Sequence, residues 1–185
     1  TFIRVLYCCG LRLSEALELK LKDVDLDLGC LYIEKSKNGT SRYVPFSGSL
    51  QKFLYKYAKN MEFDMNAQGY FFPAPDGGHY AVTTAWSHIK KLYKRAGIPE
   101  IGNGRYPRVH DLRHSFSCHA LEQMQEKGFD LYYSLPILST FLGHQGIRDT
   151  ERYLRLPYIQ YQSIIDMKFS ALGSIIPEVT DYEEA

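Results

Sequence analysis

Apolar residues recur along the chain with two different periods, and these periods predict its secondary structure. Between residues 50 and 58 the spacing is i, i+3, i+4, i+7, i+8, which places the apolar side chains on one face of a helix. These residues are Leu50, Phe53, Leu54, Tyr57 and Ala58. A second helix face consists of Trp86, Ile89, Leu92, Tyr93 and Ala96. Gly97 and Pro99 follow it and predict where that helix ends.

Two short β-type runs, 31–33 and 43–46, predict a small antiparallel sheet. Between them lies Asn38-Gly39, a pair that favours a two-residue hairpin turn because both turn positions need a positive φ. Lys37 would then project from the hairpin tip. Pro45 cannot donate a hydrogen bond to a neighbouring strand, so its strand should lie at an edge or end there.

The remaining segments read mostly as helices. We expect a helix capped by Ser14 and ending near Asp23, one from Val109 to Lys127, two shorter ones over 136–142 and 149–154, and a final one from Pro157 to about Leu172. Residues 70–73 read as a short strand. The expected fold class is α+β: mainly α-helical with a small antiparallel β-sheet, forming one domain over residues 1–185.

Composition narrows the class of protein. Of the 185 residues, 45% are hydrophobic and 23% are charged, which is typical of a globular domain. The net charge of +1 excludes a wholly basic protein that coats DNA. No apolar run approaches the ~20 residues needed to span a membrane. The four cysteines show no disulfide framework, so we expect reduced thiols and a cytoplasmic protein.

The near-neutral total conceals an uneven distribution of charge. Residues 79–119 carry seven Lys or Arg against two Asp or Glu, whereas residues 120–185 carry five against ten. A basic middle segment could form a phosphate-binding face. It could equally be an ordinary solvated helix face.

The densest polar cluster is His110-Asp111-Leu112-Arg113-His114. On a helix, His110, Arg113 and His114 share one face because they are three and four positions apart. Histidines at i and i+4 can bind zinc, with Cys118 and His119 nearby, although the spacing fits no common zinc pattern. The alternatives are a phosphate clamp, in which Arg113 supplies a bidentate fork, and the charged start of a surface helix.

Further motifs extend the pattern across the chain. Gly10-Leu11-Arg12-Leu13-Ser14-Glu15 places an arginine in a glycine turn before a helix, and Leu142-Gly143-His144 is followed nine positions later by Tyr153. Together with the 110–114 cluster and the hairpin lysine, and in this order, these motifs resemble the tyrosine recombinase (phage integrase) family, which includes the Xer-type recombinases. The resemblance runs from residue 2 to about residue 160.

The resemblance identifies individual site residues that composition alone cannot identify. Arg42-Tyr43-Val44-Pro45 is similar to the family's sequence after its catalytic lysine, and the distance back from it favours Lys37 over Lys35. Tyr153 stands among 15 tyrosines, with Tyr158 and Tyr161 close by. Its spacing from His144 identifies it as the nucleophile.

The resemblance also implies a mechanism. Arg12 and Arg113 would neutralise the charge that grows on the phosphate in the transition state. Tyr153 would attack the phosphate and form a covalent 3′-phosphotyrosyl bond, which stores the bond energy for rejoining, so that neither a metal nor ATP is required. Lys37 would protonate the departing 5′ oxygen.

The two histidines and a set of basic residues complete the expected site. His110 would help to remove the tyrosine proton, and His144 would donate a hydrogen bond to the phosphate. Glu15 would hold Arg12. Further DNA contacts are expected from Lys35, Arg42, Arg105, Arg108 and His114.

The expected function is therefore that of the catalytic domain of a site-specific DNA recombinase, which integrates or excises a mobile element or phage. Its partners would be a double-stranded recombination site and three further copies of itself. The tail over about 163–185 would dock on a neighbouring protomer or pack on its own domain. Family members usually carry an N-terminal DNA-clamping domain, which we expect to be absent from this chain.

Three other functions remain open from the sequence. A type IB topoisomerase shares the phosphotyrosine chemistry but relaxes supercoils. A catalytically silent DNA-binding module would form no covalent adduct. A metallohydrolase would lose its activity in the presence of a chelator.

Overall fold

A computed structural model describes residues 1–34, 41–144, 146 and 148–151. In these ranges the chain forms helices around one three-stranded sheet. The helices are α1 (Phe2–Cys8), α2 (Leu13–Leu17), α3 (Gly48–Asn60), α4 (Val82–Arg95), α5 (Val109–Glu126), α6 (Leu131–Leu142) and α7 (Arg148–Glu151), with a 3₁₀ turn at Leu21–Asp23. The strands are β1 (Val24–Asp25), β2 (Cys30–Ile33) and β3 (Arg42–Pro45). The predicted α+β class, mainly helical with a small antiparallel sheet, is confirmed.

The sheet is antiparallel in the order β1-β2-β3. Leu31 pairs with Val44 on one side and with Val24 on the other, and all three side chains are buried. Tyr43, one position along β3, is 71% exposed, because successive side chains of a strand point to opposite faces. Strand β3 ends at Pro45 on the edge of the sheet, as predicted. The hairpin tip, with Lys35, Lys37 and Asn38-Gly39, lies outside the described residues.

The main hydrophobic core lies between the sheet and the helices. Helix α3 begins at the Ser47 cap, whose hydroxyl accepts the Leu50 backbone N–H, and buries Leu50, Leu54 and Ala58 as the periodicity predicts. Helix α4 buries Ile89 and Tyr93, but Leu92, which was expected to point inward, is 49% exposed. Among the described residues, none of the helices is both long and apolar enough to cross a membrane.

The helix expected from Ser14 to Asp23 is shorter than predicted. Its cap is Arg12, and α2 ends at Leu17. The backbone beyond it is diverted into pairing with a distant segment: the Phe71 N–H donates to the Leu19 carbonyl at 2.7 Å, and the Leu21 N–H donates to the Gly69 carbonyl at 3.0 Å. Residues 70–73 therefore form isolated bridges, not a further strand of the sheet.

Helix α6 begins five residues before the predicted start. The Asp130 side chain caps it by accepting the Tyr132 backbone N–H at 2.6 Å. Pro136 lies inside the helix, where the missing N–H of proline removes one helical hydrogen bond. The predicted start at residue 136 was therefore too late, because the Asp130 cap begins the helix earlier.

Gly10 links α1 to α2 in a conformation that requires glycine. Its φ is +57°, and a Cβ at this position would lie 2.6 Å from Cδ1 of Phe116 and 3.0 Å from Cδ2 of Leu142. The turn thus packs directly on α5 and α6. A larger residue would have to displace the Phe116 and Leu142 side chains.

We expect Gly10→Ala to lower the free energy of unfolding by about 2–4 kcal/mol, because left-handed strain and the clash with Phe116 add. Gly128→Ala is the matched control: its φ is +82°, but nothing lies within 4 Å of the added Cβ. It should cost only about 1 kcal/mol. Urea unfolding of the two variants measures the difference. Equal losses would show that the packing around Gly10 is unimportant.

Candidate active site

Arg12 is fixed at the start of α2 by Glu15. The Glu15 carboxylate accepts the Arg12 backbone N–H at 2.9 Å and its Nη1 at 2.8 Å. The contact expected between these two residues is thus present. The Arg12 side chain remains 22% exposed, so it reaches the surface at this turn.

Arg113 lies one turn into α5 and is almost fully buried. Its Nη1 donates to the Gly10 carbonyl and its Nη2 to the Leu142 carbonyl, both at 2.7 Å. Its Nη1 also lies 4.0 Å from Oε2 of Glu15. Arg113 therefore joins the turn that carries Arg12 to the end of α6.

The end of α6 is held by three arginines on three successive carbonyls. Arg42 Nε donates to Phe141 O at 2.9 Å, Arg113 Nη2 donates to Leu142 O at 2.7 Å, and Arg12 Nη2 donates to Gly143 O at 3.3 Å. The last carbonyls of a helix have no partner within the helix and carry partial negative charge. The guanidinium groups supply both the missing donors and the opposite charge.

Gly143 ends α6 in the left-handed conformation, with a φ of +66°. A Cβ here would lie 2.8 Å from Nη1 of Arg42. The chain then turns into His144, whose Nδ1 is 2.7 Å from the hydroxyl of the buried Thr150. This contact connects the end of α6 to α7.

Both predicted histidines have lowered pKa values. Burial, followed by the charges of Arg113 and Arg12, lowers the pKa of His144 to about 4. Partial desolvation, followed by the charges of Arg113 and Arg108, also lowers the pKa of His110. At neutral pH a histidine with a lowered pKa is uncharged, so it can accept a proton or donate a hydrogen bond through its N–H.

Arg42 does not lie where a DNA contact was expected, and that prediction needs correction. Its side chain is only 8% exposed, and its Nη1 and Nη2 donate to the two oxygens of Glu15 at 3.0 and 2.9 Å. Sequence reasoning missed this role. The period-two pattern of a strand was the available signal, since it places Arg42 on the same buried face as Val44.

The other expected DNA contacts divide into two groups. Arg105, Arg108 and His114 are exposed, on the loop before α5 and on its first turns, and Arg108 donates to Asp111 at 3.3 Å. Their DNA contacts stay predictions. Lys35, Lys37 and Tyr153 lie outside the described residues.

The zinc alternative for the 110–114 cluster gains no geometric support. His119, one of the candidate ligands, pairs through Nδ1 with the Tyr7 hydroxyl at 2.6 Å. Over the ranges that the structure describes, no group of three or more His, Cys, Asp or Glu residues is placed to hold a metal ion.

The arrangement of turn, hairpin and helix end can now be compared with known proteins. The sequence model of the phage integrase family matches residues 1–158. The chain belongs to the phage integrase family. The resemblance drawn from the separated motifs is thereby confirmed.

Individual relatives agree with this assignment. The putative integrase/recombinase y4rB of Sinorhizobium fredii is 38% identical over 148 residues, which are 78% of this chain and 47% of that protein. The crystal structure of XerA recombinase has a TM-score of 0.66 at 24% identity, over 94% of this chain and 55% of that one, which shows the fold. XerH site-specific recombinase, bound to its difH substrate in a pre-cleavage complex, has a TM-score of 0.60 at 25% identity, over 88% of this chain and 44% of that one.

The integrase-family domain described here spans about half the length of the curated relatives it matches. Its fold is that of a tyrosine recombinase catalytic domain.

The lowered pKa of His144 predicts a pH-dependent stability. A histidine takes up a proton near pH ~6.5 in the unfolded chain, but His144 does so at about pH 4 in the folded domain. The unfolded state therefore binds more protons in this window, and stability falls as the pH drops through it. His144→Gln should lose stability less steeply than wild type between pH 6.5 and 4.5, with parallel curves above pH 7. Urea unfolding at several pH values measures this, and equal slopes would contradict the assignment.

Proposed function

We propose that this chain is the catalytic part of a site-specific DNA recombinase that cuts and rejoins strands through a covalent 3′-phosphotyrosine at Tyr153. The observation that carries the proposal is the convergence of Arg12, Arg113 and His144 at the end of α6, with both arginines beside one buried carboxylate. Cationic donors fixed by the protein before the substrate arrives are what phosphoryl transfer requires.

The two arginines are suited to stabilising the transition state of phosphodiester cleavage. Arg12 is partly exposed, and both arginines lie beside the Glu15 carboxylate, so two positive charges are held close together. His144, neutral at physiological pH, adds an N–H donor without adding charge. His110 lies in the first turn of α5, one turn before Arg113, and is the candidate for the tyrosine proton.

The two reactive residues outside the described ranges are tethered to this centre by short lengths of chain. Tyr153 follows Thr150 by three residues, and three residues span at most roughly 10 Å. Lys37 belongs to the connection between Ile33 and Arg42, the second of which is bonded to Glu15. Both are therefore within reach of the phosphate site, Tyr153 as nucleophile and Lys37 as proton donor for the 5′ oxygen.

The partners follow from the same proposal. XerH is described with its DNA substrate, and we propose a double-stranded recombination site for this chain as well. Four copies would act together, with the tail over about 163–185 docking on a neighbouring protomer. The reaction would take place where the DNA is, in the cytoplasm, on a mobile element or phage, without metal or ATP.

The nucleophile is tested with a nicked duplex that carries the recombination site, found in the DNA that flanks the gene. Wild type should form an SDS-resistant protein–DNA adduct in the presence of EDTA, because cleavage by a tyrosine nucleophile requires neither a metal nor ATP. Tyr153→Phe should form none, and Tyr158→Phe is the matched control that should retain the adduct. An adduct that survives Tyr153→Phe would overturn the assignment. Relaxation of plasmids that lack the site would favour a topoisomerase.

The phosphate-binding role is tested at Arg12. Arg12→Gln should lower the cleavage rate about 10²- to 10³-fold, the usual effect of removing one transition-state donor. Arg95→Gln, which removes an exposed charge at the end of α4, should leave the cleavage rate unchanged. Single-turnover cleavage at saturating protein measures the rates, and a loss below threefold for Arg12→Gln would argue against this role.

A further inference from the structure

The hairpin strand β3 carries a buried arginine to which the proposed mechanism gives no task. Arg42 uses all three guanidinium nitrogens: Nε on Phe141 O, and Nη1 and Nη2 on the two oxygens of Glu15. Its side chain is 8% exposed, so it does not reach DNA. Burying a guanidinium is costly unless it is paired and hydrogen-bonded, and here every nitrogen has a partner.

The partner of Arg42 is Glu15, whose negative charge decides the charge balance of the cluster. Its carboxylate contacts three arginines: Arg12 at 2.8 Å, Arg42 at 2.9 Å and Arg113 at 4.0 Å. Burial alone would raise the pKa of Glu15, but the hydrogen bonds and charge of Arg42, followed by those of Arg12, outweigh it and hold the pKa below its ordinary value. Glu15 is therefore an anion, and alone it would cancel one of the two charges offered to a phosphate.

We infer that Arg42 is a positioning residue that neutralises Glu15, so that Glu15 can orient Arg12 and Arg113 without reducing their combined charge on the phosphate. Three arginines against one glutamate leave two positive charges in the cluster. Without Arg42 the same cluster carries one. This inference rests on the proposed function for the reaction that the cluster serves. The charge balance itself should affect the binding of any phosphate in the site.

The same contacts give Arg42 a second task. It connects the strand that follows Lys37 to the final turn of α6, because Nε holds Phe141 O while the other nitrogens hold the start of α2 through Glu15. Gly143 leaves room for it, since a Cβ there would lie 2.8–3.0 Å from three side-chain atoms of Arg42, namely Nη1, Cζ and Cδ. Strand β3, the start of α2 and the end of α6 are thus joined through one side chain.

The test distinguishes an electrostatic role of Arg42 from a purely structural one. Arg42→Gln should lower the single-turnover cleavage of a phosphodiester by about 10- to 100-fold, because one of two useful charges is cancelled. With a methylphosphonate at the cleaved position, which carries one negative charge fewer, the loss should be under about fivefold. Glu15→Gln/Arg42→Gln, which removes both charges, should cleave the phosphodiester faster than Arg42→Gln. Arg4→Gln, an exposed arginine over the Phe53 ring, is the control and should match wild type.

A purely structural role predicts a different pattern. It would lower cleavage of both substrates equally, and the double variant would be no faster than Arg42→Gln. Either result overturns the inference. If Arg42→Gln does not fold, Arg42→Lys and the double variant decide, because both keep two net positive charges in the cluster. Both should then bind inorganic phosphate within about threefold of wild type, and a larger loss in both overturns the inference.

Phosphate binding also separates this inference from the proposed function. Inorganic phosphate at pH 8, followed by ³¹P NMR line broadening, needs no recombination site. Arg42→Gln should weaken phosphate binding about tenfold, and the double variant should restore it. If this pattern appears but wild type forms no DNA adduct, the recombinase proposal fails and the role of Arg42 stands. If adducts form but the pattern is absent, the role of Arg42 is overturned and the recombinase proposal stands.

Discussion

The buried carboxylate of Glu15 is the contact on which the rest of the site depends. It accepts hydrogen bonds from Arg12 and Arg42 and lies 4.0 Å from Arg113. Removing one partner of a buried ion pair leaves an uncompensated charge, at a typical cost of about 3–5 kcal/mol. The charges in this cluster therefore constrain one another, and none of the four residues can be exchanged alone without disturbing the others.

The end of α6 shows how this cluster is tied to the fold. A helix leaves its last carbonyls without partners, and such carbonyls are usually satisfied by water or by a following turn. Here Phe141, Leu142 and Gly143 each accept from a different arginine, and those arginines come from β3, α5 and the start of α2. The electrostatics of a helix terminus thus fix the relative position of three separate elements. The contacts that form the proposed phosphate site thus also pack the domain together.

The local patterns in the sequence predicted the fold class and the helix faces well, because apolar spacing reports directly which side of an element is buried. They located Arg12, His110, Arg113 and His144 only through separated motifs, since nothing local indicates that residues 131 positions apart will meet. Two failures have physical causes. The helix after Ser14 was predicted too long because the backbone of Leu19 pairs with Phe71, a contact outside any local window. Arg42 was expected to contact DNA but is buried, and its ion pair with Glu15 makes that burial tolerable.

The net charge of the whole chain carried little information about function. The charge balance that matters is that of four side chains: Glu15, Arg12, Arg42 and Arg113. A total of +1 is compatible with two net positive charges concentrated in one cluster of side chains. Coulomb interactions within a partly buried cluster are screened far less than those across the surface, so the placement of Glu15 and Arg42 matters more there than the total charge of the chain. The pKa values of the histidines are affected as well: burial first, and then the charges of the nearby arginines, lowers the pKa of His110 and of His144 and keeps both uncharged at neutral pH. In the proposed phosphate site, the positive charges thus favour the same neutral form of the histidines that burial favours.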